Sequence, residues 1–277
     1  MKTDILISII TINYNDKEGL DRTFKSVINQ NWKEFEHIII DGGSTDGSEK
    51  FIEDNSSFFS YSVSELDDGI YNAMNKGIKQ ANGEFLIFLN SGDVFFNDNV
   101  LDNLADNLKS DFDEIVYGDV LLTNEKTDLN RIQIHPKNLT FNYFFNQTIC
   151  HQACVFNREL FDSIFYFNER YKIVSDWEFL IYAIFKKEVK IRKLPLVVSN
   201  FDTTGISSNL EMRVIAKRER EEVLRKYFPL LIDDYKKLNR YTSKRFQQLL
   251  YIQKSVFFRK LVSVIFLSIL LIMPKKK

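Results

Sequence analysis

Asp93 follows the apolar run Leu86–Leu89 after only Asn90-Ser91-Gly92, and the chain turns apolar again at Val94-Phe95-Phe96. The apolar run reads as a strand buried on both faces, so a carboxylate is delivered at its end. Beside residues too small to crowd a ligand, it suits a hard divalent cation, Mg2+ or Mn2+. Such ions take one or two protein carboxylates and leave their other positions to water and phosphate. An aspartate capping the next turn is the purely structural alternative.

A second carboxylate, Asp176, stands with Trp177 and Glu178 at the start of an expected helix. There it could accept a proton from an incoming hydroxyl, or simply cap the helix. The Asp41-Gly42-Gly43-Ser44 turn is neither a dinucleotide fingerprint nor a phosphate loop. Its glycines let backbone approach a ligand, and Asp41 could accept from a ribose or a base. The alternative is a turn in which Ser44 or Asp46 caps a helix. Glu65, Asp67 and Asp68 precede a helical pattern that holds Asn75 and Lys76, where the helix dipole alone would favour acids. His151 lies between Cys150 and Cys154, but structural zinc needs four ligands and the chain has five Cys and His in all. The cysteines read as core, and His151 is left to touch a sugar.

The elements needed to position these groups alternate. Strand-like runs 5–13, 36–44 and 84–90 are separated by helical patterns 17–30, 47–55 and 70–81. The pattern predicts an α/β fold with a mostly parallel sheet and helices on both faces. Ligands then bind beyond the carboxyl ends of the strands. The clusters Asn13-Tyr14-Asn15, Asp41–Ser44 and Asn90–Asp93 would share that rim, where loop N–H groups and helix N-termini can hold phosphate. Later, 114–122 and 190–201 read as strands, 151–161 as strand and turn, and 175–188 as a helix.

The 277 residues are 44% apolar, enough for a core without disulfides, and two cysteines fit a reducing compartment. Asp4 before the first apolar run argues against a signal peptide. The net charge of −1 hides an asymmetry: Lys236–Lys277 holds eleven Lys or Arg and no acid, and the 235 residues before it carry a net −12. Within this tail Leu261–Met273 is apolar, about 20 Å as a helix and short of a ~30 Å hydrocarbon core. A basic amphipathic helical tail (236–277) meeting an anionic membrane surface is expected, with a helix packed on the domain as alternative. Nucleic acid is not an expected partner.

Four ordered blocks carry a resemblance: "SIITINYN", "SVINQNWKEFEHIIIDGGSTDGS", "DGIYNAMNKGIKQANGEFLIFLNSGD" and "HQACVFNRELF…YKIVSDWEFL". Over about residues 5–225 the chain resembles the family 2 glycosyltransferases of the glycosyltransferase-A fold, a Rossmann-like nucleotide-binding architecture. The bacterial exopolysaccharide, capsule, O-antigen and colanic-acid enzymes are most alike, sharing "LNSGD" and a "GISS"-like segment, here Gly205–Ser208. The resemblance implies an inverting, metal-dependent transferase moving a sugar from a nucleotide sugar, UDP-linked by expectation, to a lipid-linked oligosaccharide at the cytoplasmic face of the bacterial inner membrane. A module of this fold that binds nucleotide or glycan without turnover is the alternative. The catalytic domain would span 1–235, with a nucleotide-sugar half (1–110) and an acceptor half (111–235). Asn90–Asp93 would be the counterpart of the D-x-D metal motif, with Asp93 the metal ligand and Asp176 the general base. Tyr14, Asn15, Asp41, Gly43, Ser44, Asp68, Gly69, Lys76, Asn90, Ser91 and Gly92 would bind the donor; His151, Trp177 and Glu178 the acceptor. Gly92 and Gly42 depart from the family pattern, standing where many relatives have an Asp. Residues 201–209 could form a lid.

Overall fold

A computed structural model describes residues 7–108, 114–205, 210–241 and 243–273; of the expected lid, 206–209 lie outside the described residues, as do 274–277 of the tail. In β1 (Ile7–Asn13) all seven side chains are buried. The reason is its place in the sheet: β1 pairs in parallel with β2 (Phe35–Asp41) on one side and with β4 (Phe85–Phe88) on the other. β3 (Tyr61–Ser64) extends the parallel set beyond β2. α1 (Lys17–Ile28), α2 (Ser48–Asp54) and α3 (Ile70–Gln80) form the crossovers. α3 lies close on β1 because Gly77 meets Ile10, where a Cβ would collide with the isoleucine side chain.

The second half is mixed. After β5 (Val94–Phe95) and α4 (Val100–Asn107) come β6 (Ile115–Asn124), β7 (Leu129–Gln133), α5 (Phe141–Asn146), β8 (Cys154–Asn157), α6 (Glu159–Ser163), α7 (Ser175–Lys186) and β9 (Ile191–Asp202). Sheet order is β3-β2-β1-β4-β8-β6-β9-β5, with β7 on β6. β8 runs antiparallel to β4. Its start therefore lies at the end of β4, the rim where Asn90–Asp93 emerges. One core layer joins residues of β1, β4, β6, β8 and β9. On α6 and α7, Phe161 and Phe179 stack with centroids 4.6 Å apart and 16° between planes.

The chain divides into two compact units, Met1–Val223 and Leu224–Lys277, with the boundary inside α8 (Leu210–Tyr227). The second unit continues as α9 (Pro229–Tyr241), α10 (Lys244–Ile252) and α11 (Val256–Ile272). In α11 Phe257, Leu267, Leu271 and Ile272 are exposed. Among the described residues no helix is long and apolar enough to cross a membrane.

His37 on β2 is buried in this core; its Nε2 meets the Thr11 hydroxyl at 3.0 Å and its Nδ1 has no partner. Burial pushes its pKa from 6.5 down to about 3. A depressed folded-state value means that stability is whole above pH 6.5 and falls as pH drops toward 3, at ~1.4 kcal/mol per pH unit. In His37→Gln the stability lost between pH 6.5 and 4 should shrink by about 3 kcal/mol, read from urea unfolding at both pH values. An unchanged pH slope would show that His37 is not the group responsible.

Candidate active site

The polar ends of β1, β2 and β4 converge on one hub. Asp41, fully buried, accepts from Asn13 Nδ2 (2.6 Å), Ser44 Oγ (2.6 Å), Ser44 N–H (2.9 Å) and Ser64 Oγ (2.6 Å). Ser91 Oγ donates to Asn13 Oδ1 at 2.7 Å, which ties the β4 end to the β1 end. Four donors occupy the Asp41 carboxylate, so it braces the rim instead of presenting itself to a ribose or base, as the sequence suggested. The carboxylate beside Gly42 is Asp67, in the space that a side chain at 42 would need.

Beyond this hub opens a cavity of about 790 Å³, within the usual range for small-molecule sites. Of the expected residues, Tyr14, Gly69, Asn90, Ser91, Asp93, His151, Asp176 and Trp177 line it. The others do not. Asn15, at φ 50°, uses its N–H and Oδ1 to hold Ser44 and Thr45. Gly43, also at positive φ, turns the same loop. Asp68 is exposed and its N–H meets Asn72. Lys76 pairs with Glu65 at 2.6 Å and so pins the loop ahead of α3. Glu178 is fully buried, so it cannot touch an acceptor. Gly92 has φ 92° and donates its N–H to Thr23, a turn that favours glycine over an aspartate.

Asp93 is buried in the cavity wall. Its Oδ2 accepts from Gln152 Nε2 at 3.0 Å and its Oδ1 from the Asp202 N–H at 3.1 Å. Burial, with the Asp202 charge adding to it, pushes its pKa up to about 7 against those hydrogen bonds. Two carboxylates close enough for the charge of one to act on the other, Asp93 desolvated and pushed toward protonation, form the kind of donor set that a divalent cation relieves. Asn90 Oδ1 is buried without a hydrogen-bond partner and lies on the same wall, a third oxygen suited to a hard cation. Among the described residues no three Cys, His, Asp or Glu cluster as a metal cage. A cation here would therefore draw further ligands from water and phosphate, as Mg2+ commonly does.

Asp176 lies in the first turn of α7, behind the observed N-cap Val174, so it is not the cap. Its Oδ1 accepts from the Tyr71 hydroxyl at 2.9 Å and its Oδ2 from His151 Nδ1 at 3.1 Å. Burial pushes its pKa up, but the His151 and Tyr71 bonds outweigh it and hold the carboxyl below its ordinary value. With Nδ1–H donating, His151 Nε2 accepts from Asn90 Nδ2 at 3.4 Å. Consecutive residues thus hold the two acids: His151 grips Asp176 and Gln152 grips Asp93. Cys150 is pushed up to about 12 by burial and those acidic charges, so it offers no thiolate.

Sequence reading missed Gln152, Tyr71 and Asp202. It also missed three cavity cations: Lys172, Arg213 and Arg220. Arg220 lies 5.0 Å over the Trp177 ring, and burial lowers its pKa.

The glycosyl transferase family 2 model matches residues 8–165, more than half the chain. The chain belongs to that family. A glycosyltransferase of Mycobacterium tuberculosis is 36% identical over 211 residues, covering 74% of this chain and 78% of the relative. An Escherichia coli enzyme named UDP-Glc:alpha-D-GlcNAc-diphosphoundecaprenol beta-1,3-glucosyltransferase is 26% identical over 140 residues, covering 50% of this chain and 54% of that one. In fold the family 2 chain resembles Staphylococcus aureus TarS 1–349, solved with UDP-GlcNAc, at TM-score 0.59 and 18% identity, covering 80% and 71% of the two chains. It also resembles a Pyrobaculum calidifontis mannosyltransferase, solved with GDP-Man and Mn2+, at TM-score 0.56 and 15% identity, covering 93% and 83%.

Proposed function

We propose that this family 2 glycosyltransferase moves a sugar from a UDP-sugar to a hydroxyl of a lipid-linked glycan, with inversion, in building a cell-surface polysaccharide or glycolipid. The supporting observation is that Asp93 and Asp176, 83 positions apart in the sequence, line one cavity at the carboxyl rim of parallel strands. Tyr14 and Asp67 take the nucleoside end, beside Gly42. Asp93, Asp202 and Asn90 would hold a divalent cation, which when bound would offset charge on the donor diphosphate.

Asp176 receives the acceptor proton. The hydroxyl oxygen bonds to the anomeric carbon as the bond to diphosphate breaks, and that group leaves with the electron pair. One displacement from the opposite face inverts the centre. A base of low pKa suits this chemistry, because the hydroxyl becomes acidic as its bond to carbon forms. Tyr71 and His151 fix the direction of the carboxylate, so little ordering remains for the reaction itself.

The test is a screen of sugar nucleotides for Mn2+-dependent turnover, followed by NMR of the product's anomeric centre. Retention would refute the single displacement. Binding without turnover for every donor would favour a binding module.

The tail fits an acceptor held in a membrane: basic residues flank exposed apolar ones along α11, including Arg259 and Lys260 beside Leu261. The full chain should float with vesicles containing anionic phospholipid and be released by about 0.5 M salt. Equal flotation with zwitterionic vesicles would remove the electrostatic part of this reading.

A further inference from the structure

We propose that Lys172, Arg213 and Arg220 form a second anion subsite, which takes a phosphate group carried by the acceptor; this deepens the transferase reading and rests on it. Arg213, Ala216 and Arg220, spaced three and four apart, put one face of α8 on the cavity. The wall is fixed. Glu219, one residue before Arg220, accepts from the Lys172 N–H at 2.9 Å and the Ile173 N–H at 3.1 Å. Trp177, under the Arg220 guanidinium, donates its indole N–H to Phe144 O at 2.9 Å.

Among the described residues none of these three cations makes an ion pair, and Arg220 Nε is buried without an acceptor. A desolvated guanidinium without a direct acceptor is costly, and its planar fork fits phosphate oxygens. Of the five acidic groups of the cavity, Asp16, Asp67, Asp93 and Asp202 belong to the β1, α3, β4 and β9 ends, where the donor is placed, and only Asp176 lies elsewhere. Arg220 instead lies near Asp176, whose charge acts on it. In a single displacement the base and the leaving diphosphate lie on opposite faces of the anomeric carbon. An anion next to the base is therefore the acceptor's. A glycan joined to its lipid through diphosphate carries that charge on the first sugar.

The test uses the full chain with Mg2+ and reads thermal unfolding with two probes, farnesyl diphosphate and inorganic diphosphate. With UDP saturating, farnesyl diphosphate should still raise the unfolding temperature. Arg213→Gln with Lys172→Gln, both away from the buried core, should weaken it about tenfold or more while UDP affinity stays within about twofold. The same UDP-independent, charge-dependent binding of inorganic diphosphate supports the subsite equally and assigns recognition to the anion alone. Displacement of the probe by UDP, or a parallel loss of UDP affinity in the variant, would give these cations to the donor and overturn the proposal. So would farnesyl diphosphate binding that the variant leaves unchanged, since the lipid chain would then be what is recognised. If UDP does not bind at all, the donor reading fails, and the two probes still decide the subsite by themselves.

Discussion

Asp176→Asn is expected to slow sugar transfer by about 10²–10⁴-fold, the usual contribution of a general base, with UDP binding within about twofold of the parent. The substitution keeps the size of the side chain and one oxygen, so the Tyr71 hydroxyl retains its acceptor. It removes the charge proposed to take the proton. It also sets an amide N–H against His151 Nδ1–H, where the parent has a carboxylate at 3.1 Å. The imidazole must then move its proton to Nε2, which breaks its fit to Asn90 Nδ2 at 3.4 Å. The lost charge falls on the acceptor side, and the Asn90 adjustment involves its Nδ2 and not the Oδ1 offered to the cation, so donor protection against thermal unfolding should survive. Single-turnover transfer with a saturating donor measures the effect, and circular dichroism checks the fold. A rate within tenfold of the parent would mean that another group takes the proton.

The sequence carried the parallel half of the fold in plain view. β1, β2 and β4 are apolar runs because both faces are covered, and α1 and α3 show one buried stripe each. Their order put three polar clusters on one rim, and the rim is where the cavity lies. Position alone singled out Asp93 and Asp176 and the resemblance added the roles expected of them; both line that cavity. What a linear reading could not supply was the partners of each side chain. Asp41 looked like a ligand-facing acid, yet four donors from the ends of β1 and β3 and the loop after β2 enclose it, which depends on how far each strand runs before it turns. Asp67 and Asp68 are adjacent in sequence, and only the backbone of the Leu66–Gly69 turn decides which reaches the cavity. β8 is four residues long, and its antiparallel course is what brings His151 and Gln152 to the end of β4. α8 is rich in charge with a narrow apolar face, so its cavity-lining arginines look like any solvated helix until its neighbours are known.

Asp93→Asn tests the other acid through stability as well as activity, and the two should move in opposite directions. In the metal-free protein the Asp93 carboxyl titrates near 7, raised from 3.8 by burial. A raised value for an acid means that the folded state favours the protonated form. Stability is then whole below pH 3.8 and declines as pH rises toward 7, at ~1.4 kcal/mol per pH unit, or about 4 kcal/mol in all. The slope is opposite in sign to that of His37, so each variant is compared with its parent across pH. Asparagine cannot ionise. It keeps an oxygen for the Asp202 N–H, and Gln152 can turn its amide to offer a carbonyl to the new NH2. Metal-free Asp93→Asn should therefore melt above the parent at pH 8 and near it at pH 4. With Mn2+ the order reverses: the parent should gain stability, the variant little, and transfer in the variant should fall about 10²-fold or more. If Mn2+ stabilises both proteins equally, the cation binds elsewhere. Should the metal-free variant be no more stable at pH 8, the cost assigned to this buried charge is wrong, and with it the argument that a cation relieves it.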